Sequence, residues 1–337
     1  GGILEKKEST SSVSVVGLGK LGAPLCACFA SKGLLTTGVD VDSRKANALN
    51  DGVAPVYEPG LQSLMDSHRQ FLKATQDYEY AVMNSQITFI VVATPSCENG
   101  RFSLKYVLEA VQRIGDTLRK KSDYHLVVLT STVMPGDTGE KVKSLLEAQS
   151  GKKCGEGFGL CYSPEFIALG SVIRDFLNPD FVLIGESDGK AGDLLEKFYQ
   201  KVCDNHPPVA RMNFVNAELT KLAVNTYITT KITFANTLAR ICEQLSGAHV
   251  DVVTRALGLD SRIGNKYLKG AISYGGPCFP RDNMALAHLA NALGAPALLS
   301  ESTNFFNQNQ IDWLAKLVQS HLPKKGSVGI LGLAYKP

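Results

Sequence analysis

The sequence predicts an α/β protein of more than one domain, and three observations carry that expectation. Short apolar runs alternate with helical segments from Val13 onward, a glycine cluster follows the first run directly, and an uninterrupted helical stretch extends from Asn213 to Leu245. A chain of 337 residues with 44% hydrophobic content can bury more than one core, and length alone suggests about two domains. Lys and Arg number 35 against 32 Asp and Glu, so the net charge is only +3. With no dense basic run, a nucleic-acid partner is not expected. The longest apolar stretches, such as Ile87 to Ala93, have the length of a strand and fall far short of the roughly 20 residues that span a bilayer. Eight scattered cysteines lack the C-x-x-C spacing of metal or redox sites, so no metal is expected and a reducing cytoplasm fits. Cys26 and Cys28, two apart in an apolar helical stretch, read as small buried hydrophobes.

In chain order, the candidate strands are Val13 to Val16, Leu35 to Val39, Thr88 to Ala93, Leu126 to Thr130, Gly159 to Tyr162, Phe181 to Ile184 and Val209 to Arg211. This is how successive βα units of a parallel sheet read, with helices filling the gaps. Ser103 is placed to cap a helix toward Lys120 and Asp137 one toward Gln149, while Leu194, Leu195, Phe198 and Val202 share one side of a third. Asn213 to Leu245 holds neither Gly nor Pro. As one helix of about 33 residues it would be roughly 50 Å long, more than a small domain needs, so it is expected to cross between domains or pack against a second copy as a homodimer. Helical pattern resumes over Asp282 to Gly294 and Ser300 to His321, after a Gly275-Gly276 loop. Val328 to Leu333 reads as a strand; it either completes the first sheet or opens a further α/β domain. The expected division is 1–212, 213–321 and 322–337.

Gly17, Gly19 and Gly22 spell G-x-G-x-x-G between the first strand and an apolar helix. Glycines there permit a tight turn and a close approach of backbone to pyrophosphate, whose charge is held at the helix N-terminus; the first domain is therefore expected to be Rossmann-like. Leu18, Lys20 and Leu21 complete that turn. Asp40 ends the second strand, where a carboxylate accepts ribose hydroxyls and repels a 2′-phosphate, so NAD is the expected cofactor. Arg44 and Lys45 stand close by and bear on that choice; Lys45 is included among the cofactor contacts. Thr94-Pro95 and Ser131-Thr132 end two further strands, and the carboxyl ends of parallel strands line the ligand crevice.

Gly275 to Asp282, reading Gly-Gly-Pro-Cys-Phe-Pro-Arg-Asp, places Cys278 in a glycine-rich loop with an acid four residues on. A helix beginning near Pro280 would turn its N-terminal amides toward the sulfur and, with Arg281, favour the nucleophilic thiolate. Taken alone, a single cysteine is more often an inert buried residue. Lys221 and Asn225, four apart, share a helix face among Leu219, Leu222 and Val224, surroundings too apolar for an idle lysine.

In this order, the glycine turn with Asp40, Tyr57-Glu58-Pro59-Gly60, Ser131-Thr132-Val133, Ser163-Pro164-Glu165-Phe166, Glu218-Leu219-Thr220-Lys221-Leu222 with Asn225, Asp260-Ser261-Arg262-Ile263-Gly264 and Gly275 to Asp282 resemble the UDP-glucose/GDP-mannose dehydrogenase family of nucleotide-sugar dehydrogenases. The resemblance runs from Val13 to the end, and Gly332 to Pro337 is similar to the opening of the family's third, Rossmann-like domain, present only as its first strand.

The resemblance implies a four-electron oxidation of a sugar C6 alcohol to a uronic acid by two successive NAD molecules, through a thiohemiacetal and then a thioester on Cys278. It implies that Lys221 stabilises an oxyanion, Asn225 holds an ordered water or substrate oxygen, Asp282 gives acid/base support, Glu165 acts in thioester hydrolysis and Thr132 belongs to the same set. Cys278 and Arg281 would also meet the cofactor. The nucleotide sugar would contact Glu165, Phe166, Ile167, Ala168 and Leu169, together with Lys221, Asn225, Arg262, Lys269, Tyr274, Gly275, Phe279, Tyr335 and Lys336. Pro277 stands where many members have Ser, and Leu169 where some carry an acid, which leaves the sugar open. Two other readings compete: a single-step dehydrogenase of the hydroxyacid or 6-phosphogluconate kind, which needs no thiol, and a non-catalytic NAD-binding module.

Overall fold

A computed structural model describes residues 10–323 and 326–332. These fall into two compact units: one made of the residues up to Pro95 with Phe102–Leu219, the other of Ser96–Arg101 with the residues from Thr220 on.

The first unit is built on one eight-stranded sheet. Its strands are β1 (Ser12–Val16), β2 (Leu35–Val39), β3 (Leu72–Thr75), β4 (Ile87–Ile90), β5 (His125–Leu129), β6 (Phe158–Tyr162), β7 (Val182–Glu186) and β8 (Val209–Met212), in the order β3-β2-β1-β4-β5-β6-β7-β8. From β3 through β6 every pairing is parallel. Because β1 pairs with both β2 and β4, the order reverses there, and the crevice beyond the carboxyl ends of β1 and β4 is where such sheets take ligands. β3 lies outside the predicted strands because it is short, and only Ala74 of its Leu-Lys-Ala-Thr is buried, which leaves no apolar run to read. Against the expected parallel pattern, β7 runs antiparallel to β6, pairing Cys161 with Glu186 and Tyr162 with Gly185. A strand covered on both faces reads the same in either direction, so its hydrophobic run marks its existence without its sense.

Helices cover both faces. Gly22–Ser31 buries all of its residues from Gly22 to Ala30, and Phe29 meets Phe89, Phe176 and Phe198 at centroid distances of 5.0, 5.5 and 5.2 Å. Cys26 and Cys28 are part of that core, and burial pushes both thiols up, as inert hydrophobes require. The opposite face packs Val107, Val111, Ile114 and Leu118 of helix Lys105–Lys120. Two caps differ from expectation. Ser103 is only a weak acceptor, 3.4 Å from the Lys105 amide, with Leu104 at the cap position. Asp137 points backward, accepting from the Met134 amide at 3.1 Å and pairing with Lys141, and the segment after it is a π-helical turn, Thr138–Lys143, running into helix Ser144–Ser150. The capping carboxylate comes from far along the chain: Glu218, fully buried, accepts from the Gly136 and Thr138 amides at 3.0 Å each and from the Thr138 hydroxyl at 2.9 Å.

The long helix spans Phe214–Cys242, inside the predicted bounds. In the second unit follow helices Val250–Gly258, Phe279–Ala292 and Leu298–His321. Residues 328–332, within the stretch expected as a strand, pair with no strand among the described residues, and Ile330 and Leu331 are exposed. An isolated strand has no ladder to join. Leu333, Tyr335 and Lys336 lie outside the described residues.

A buried polar chain crosses the amino-terminal end of the sheet. The Lys121 ammonium donates to the carbonyls of Val82 and Ser85 and lies 3.0 Å from His125 Nδ1. An ammonium has only protons to give, so Nδ1 accepts and Nε2 carries the ring proton. Nε2 then donates to Thr88 Oγ1 at 2.7 Å, Thr88 to Ser14 at 2.7 Å, Ser14 to Ser85 at 3.0 Å, and Ser85 to the Ala81 carbonyl at 2.8 Å. Burial first, and the Lys121 charge second, depress the basicity of His125 well below that of an ordinary histidine; burial likewise brings Lys121 below the ordinary lysine range, with Asp123 opposing and Lys152 adding to that. The unfolded chain, with an ordinary ring near 6.5, binds the extra proton first as pH falls. Stability is thus fully present above about pH 6.5 and declines below it, by up to ~1.4 kcal/mol per pH unit. His125→Gln is expected to flatten this acid limb in denaturant titrations from pH 7 to 5; parallel curves for the two proteins would refute the assignment.

Candidate active site

The first unit carries the cofactor end. Gly17 has φ +104°, and a side-chain carbon there would stand 2.6 Å from the Val91 carbonyl oxygen; at Gly22 it would stand 1.7 Å from the Gly17 carbonyl oxygen. Turn and helix therefore touch through bare backbone. Gly19, by contrast, faces open space, which is what a backbone approached by a ligand requires. Leu18 is buried, its amide donates to Asp40 Oδ2 at 2.8 Å, and the Asp42 amide donates to Asp40 Oδ1 at 2.9 Å. Lys45 approaches Asp40 at 3.8 Å. Arg44 instead forks onto Asp42 at 3.0 and 2.8 Å, which holds its guanidinium on an exposed partner of its own. Lys20 is exposed and Leu21 packs on the core.

Gly17, Gly19, Asp40 and Lys45 line a cavity of about 370 Å³ that the loop Val91 to Ala93 also bounds. Thr94 donates to the Thr132 carbonyl at 2.7 Å and Ser131 to the Val92 carbonyl at 2.6 Å, tying the loops after β4 and β5 together, with Pro95 exposed beyond them. An open glycine, a carboxylate at the second strand's end and a cavity beside both fit a dinucleotide. The same cavity is walled by Tyr78, Tyr106, Glu109 and Arg113, which the sequence did not single out because they stand on helices far from any motif.

Farther along the first unit, Glu165 Oε1 accepts from the Tyr199 hydroxyl at 3.4 Å. Tyr199 also shares a hydrogen bond of 3.1 Å with Ser163, and burial pushes its hydroxyl well above the usual tyrosine range. Phe166 stacks on Phe181 at 4.9 Å, Ile167 packs on the core, the Ala168 carbonyl accepts from Ser171 and Leu169 is exposed. Glu58 ties this loop down, accepting from the Gly170 and Val172 amides at 3.3 and 3.0 Å.

The second unit carries the thiol. Cys278 is exposed and occupies the N-cap of helix Phe279–Ala292, with Pro280 in the first turn, so it lies where the amide ends point. Asp282, one turn on, is almost fully buried and accepts from Asn225 Nδ2 at 2.6 Å. Burial pushes the Asp282 carboxyl up; the Asn225 hydrogen bond and the charges of Arg281 and Lys221 oppose that. Arg281 Nε stands 3.6 Å from Asp282 Oδ1. Lys221, on the long helix, is buried too. One carboxylate, that of Asp282, thus takes the hydrogen bond of Asn225 and the charges of Arg281 and Lys221.

Other expected substrate contacts are dispersed. Arg262 is exposed and forks onto Asp260 at 3.0 and 2.7 Å, and Lys269 and Gly275 are exposed. Tyr274 is buried, its hydroxyl accepting from Asn283 at 3.0 Å and its backbone bracketed by Asn307 at 2.8 and 2.9 Å. Phe279 packs edge-on to Tyr267 and Tyr274. Among the described residues no cluster of His, Cys, Asp or Glu could hold a metal ion, and no helix is long and apolar enough to cross a membrane.

A sheet that reverses at β1, a glycine turn shaped for pyrophosphate and a carboxylate at the end of β2 define an NAD-dependent dehydrogenase. The chain belongs to the UDP-glucose/GDP-mannose dehydrogenase family: the model of that family's NAD binding domain matches residues 11–203 and that of its central domain residues 215–309. It is 35% identical to the UDP-glucose 6-dehydrogenase AglM of Haloferax volcanii, over 96% of this chain and 76% of that protein, and 36% identical to a GDP-mannose 6-dehydrogenase of Pseudomonas aeruginosa, over 96% and 74%. A solved UDP-glucose dehydrogenase from Pyrobaculum islandicum shares its structure with a TM-score of 0.86 at 33% identity, covering 95% of this chain and 73% of that one. The chain is an oxidoreductase and its cofactor is NAD.

Replacing Asp40 with Ser removes the carboxylate that faces the cavity and its bond to the Leu18 amide. NAD affinity is expected to fall about tenfold or more while NADP affinity holds or rises, as read by calorimetry. An unchanged ratio between the two would rule out Asp40 as the selector.

Proposed function

We propose that the chain oxidises the C6 alcohol of a nucleotide-linked sugar, of the UDP-glucose or GDP-mannose type, to the acid, with Cys278 carrying the reacting carbon. The observation that carries this reading is an exposed thiol at a helix N-cap in a unit where half-buried Asn225 hydrogen-bonds the buried Asp282 and the charge of buried Lys221 acts on the same carboxyl. NAD, when bound, supplies the hydride acceptor for each of two oxidations.

The residues divide the proton and charge work. The first oxidation removes a hydride from carbon and a proton from the alcohol; Lys221 offsets the developing oxyanion, and Asn225, whose amide is fixed by Asp282, presents its carbonyl and second proton to substrate or water. Cys278 then adds to the aldehyde carbon and the oxygen takes up a proton, giving a thiohemiacetal. Loss of a second hydride and of that proton leaves a thioester. Water attacks it, the thiol leaves, and the carboxylate is released, with Glu165 orienting the water and Asp282 managing protons, a task suited to a carboxyl that burial makes more basic. Thr132 supports the same chemistry from the loop after β5, and Phe166 to Leu169, Arg262, Lys269, Gly275 and Phe279 contribute to holding the sugar nucleotide.

Cys278→Ser is expected to cut acid formation by ~10³-fold or more while leaving NAD binding intact. Glu165→Gln is expected to accumulate a covalent adduct on Cys278, visible by intact mass during turnover with UDP-glucose or GDP-mannose. Acid at the normal rate from Cys278→Ser, with no adduct in Glu165→Gln, would sink the covalent mechanism.

The same reading includes a homodimer through the long helix. Tyr227, Phe234 and Ile241, each seven residues from the next and therefore on one stripe, are 66, 51 and 48% exposed. Sedimentation at micromolar concentration is expected to show a dimer that Phe234→Glu dissociates without loss of helical content; a monomeric parent protein contradicts it.

A further inference from the structure

Tyr106, Glu109 and Arg113 lie at i, i+3 and i+7 of helix Lys105–Lys120, on the face away from its buried Val107, Val111 and Ile114. All three border the cavity that Gly17, Gly19 and Asp40 open into. The Arg113 guanidinium is centred 5.1 Å from the ring of Tyr78, which is itself buried and also lines the cavity. Among the described residues no carboxylate pairs with Arg113, so the partner of its guanidinium is the aromatic ring of Tyr78. Asp40, Tyr78, Glu109 and Arg113 thus all line one space.

A surface arginine ordinarily points its five donors at water or an acid. One laid on a ring at a cavity wall instead presents a flat, weakly hydrated cation, a surface on which a purine stacks. We infer that Arg113, backed by Tyr78, is the residue that reads the base of the dinucleotide, and that it does so by stacking and not by its charge. The inference rests on NAD being the ligand of this cavity. Asp40 then selects at the ribose and Arg113 at the base, from two different helix-strand units.

Calorimetry with NAD and with nicotinamide cytosine dinucleotide, which keeps the charges but replaces the purine by a smaller pyrimidine, separates stacking from electrostatics. The parent protein is expected to prefer NAD by about tenfold. Arg113→Ala and Arg113→Lys are both expected to collapse that preference, because lysine restores the charge without the plane; the unfolding midpoint of the free protein should not change. Retention of the preference in Arg113→Lys, or equal weakening of both dinucleotides in Arg113→Ala, overturns the inference. Absence of NAD binding by the parent protein overturns the cofactor reading beneath it, which the other outcomes leave standing.

Discussion

The carboxylate of Asp40 joins the glycine turn of the first unit to the start of its second helix. One oxygen receives the Leu18 amide, inside the glycine turn, and the other receives the Asp42 amide, at the start of the next helix. Asp42 in turn caps that helix by accepting from the Arg44 amide at 3.0 Å. A nearly buried charge is costly unless hydrogen-bonded, and backbone donors stabilise it without the entropy of a second ordered side chain. The turn can close only because Gly17 and Gly22 leave no side chain between its backbone and its neighbours. The shape of the turn and the placement of its carboxylate therefore have a common origin.

The second unit relies on polar contacts of a different kind. Two residues of the long helix, Asn225 and Thr229, one turn apart, meet two consecutive residues of the helix that begins at Cys278: Asn225 meets Asp282 at 2.6 Å and Thr229 meets Asn283 at 2.9 Å. Asn283 passes the connection to Tyr274, and Tyr274 to Asn307. Hydrogen bonds have direction, whereas apolar packing tolerates slippage, so this ladder fixes the register of the thiol-bearing helix against the long one. Tyr274 belongs to the scaffold that holds the loop before Cys278.

Most of the first unit could be read from the chain because its signals are local. Seven of the eight strands are apolar runs, and the glycine turn and Asp40 are set by their distance along the sequence. What escaped reading was non-local or silent. β3 has no apolar run; the reversal of β7 leaves no trace in a strand buried on both faces; Glu218 caps a segment some eighty residues upstream. At the site, motifs pointed to Cys278, Lys221, Asn225 and Asp282, but not to Asn283, Thr229 or Arg113, whose parts depend on which helix faces meet. A helical position shows its face in the sequence; it does not show what that face meets.

Two buried polar clusters in this chain differ in a way that bears on chemistry. In the chain from Lys121 to Ala81 each donor has an acceptor, and the ammonium alone settles the direction of every hydrogen bond along it. Such a network has one protonation state and resists change, as a structural element should. Around Asp282 the inventory does not close: Oδ2 is bonded to Asn225, while Oδ1 accepts no hydrogen bond from the described residues even though it is shut away from solvent. An acceptor left unsatisfied in a buried carboxyl raises the free energy of the charged form and draws a proton donor toward it. In that unit Lys221 and Arg281 supply the opposing charge, so burial raises the Asp282 carboxyl while its neighbours hold it back, a tension between charge and desolvation around a single group.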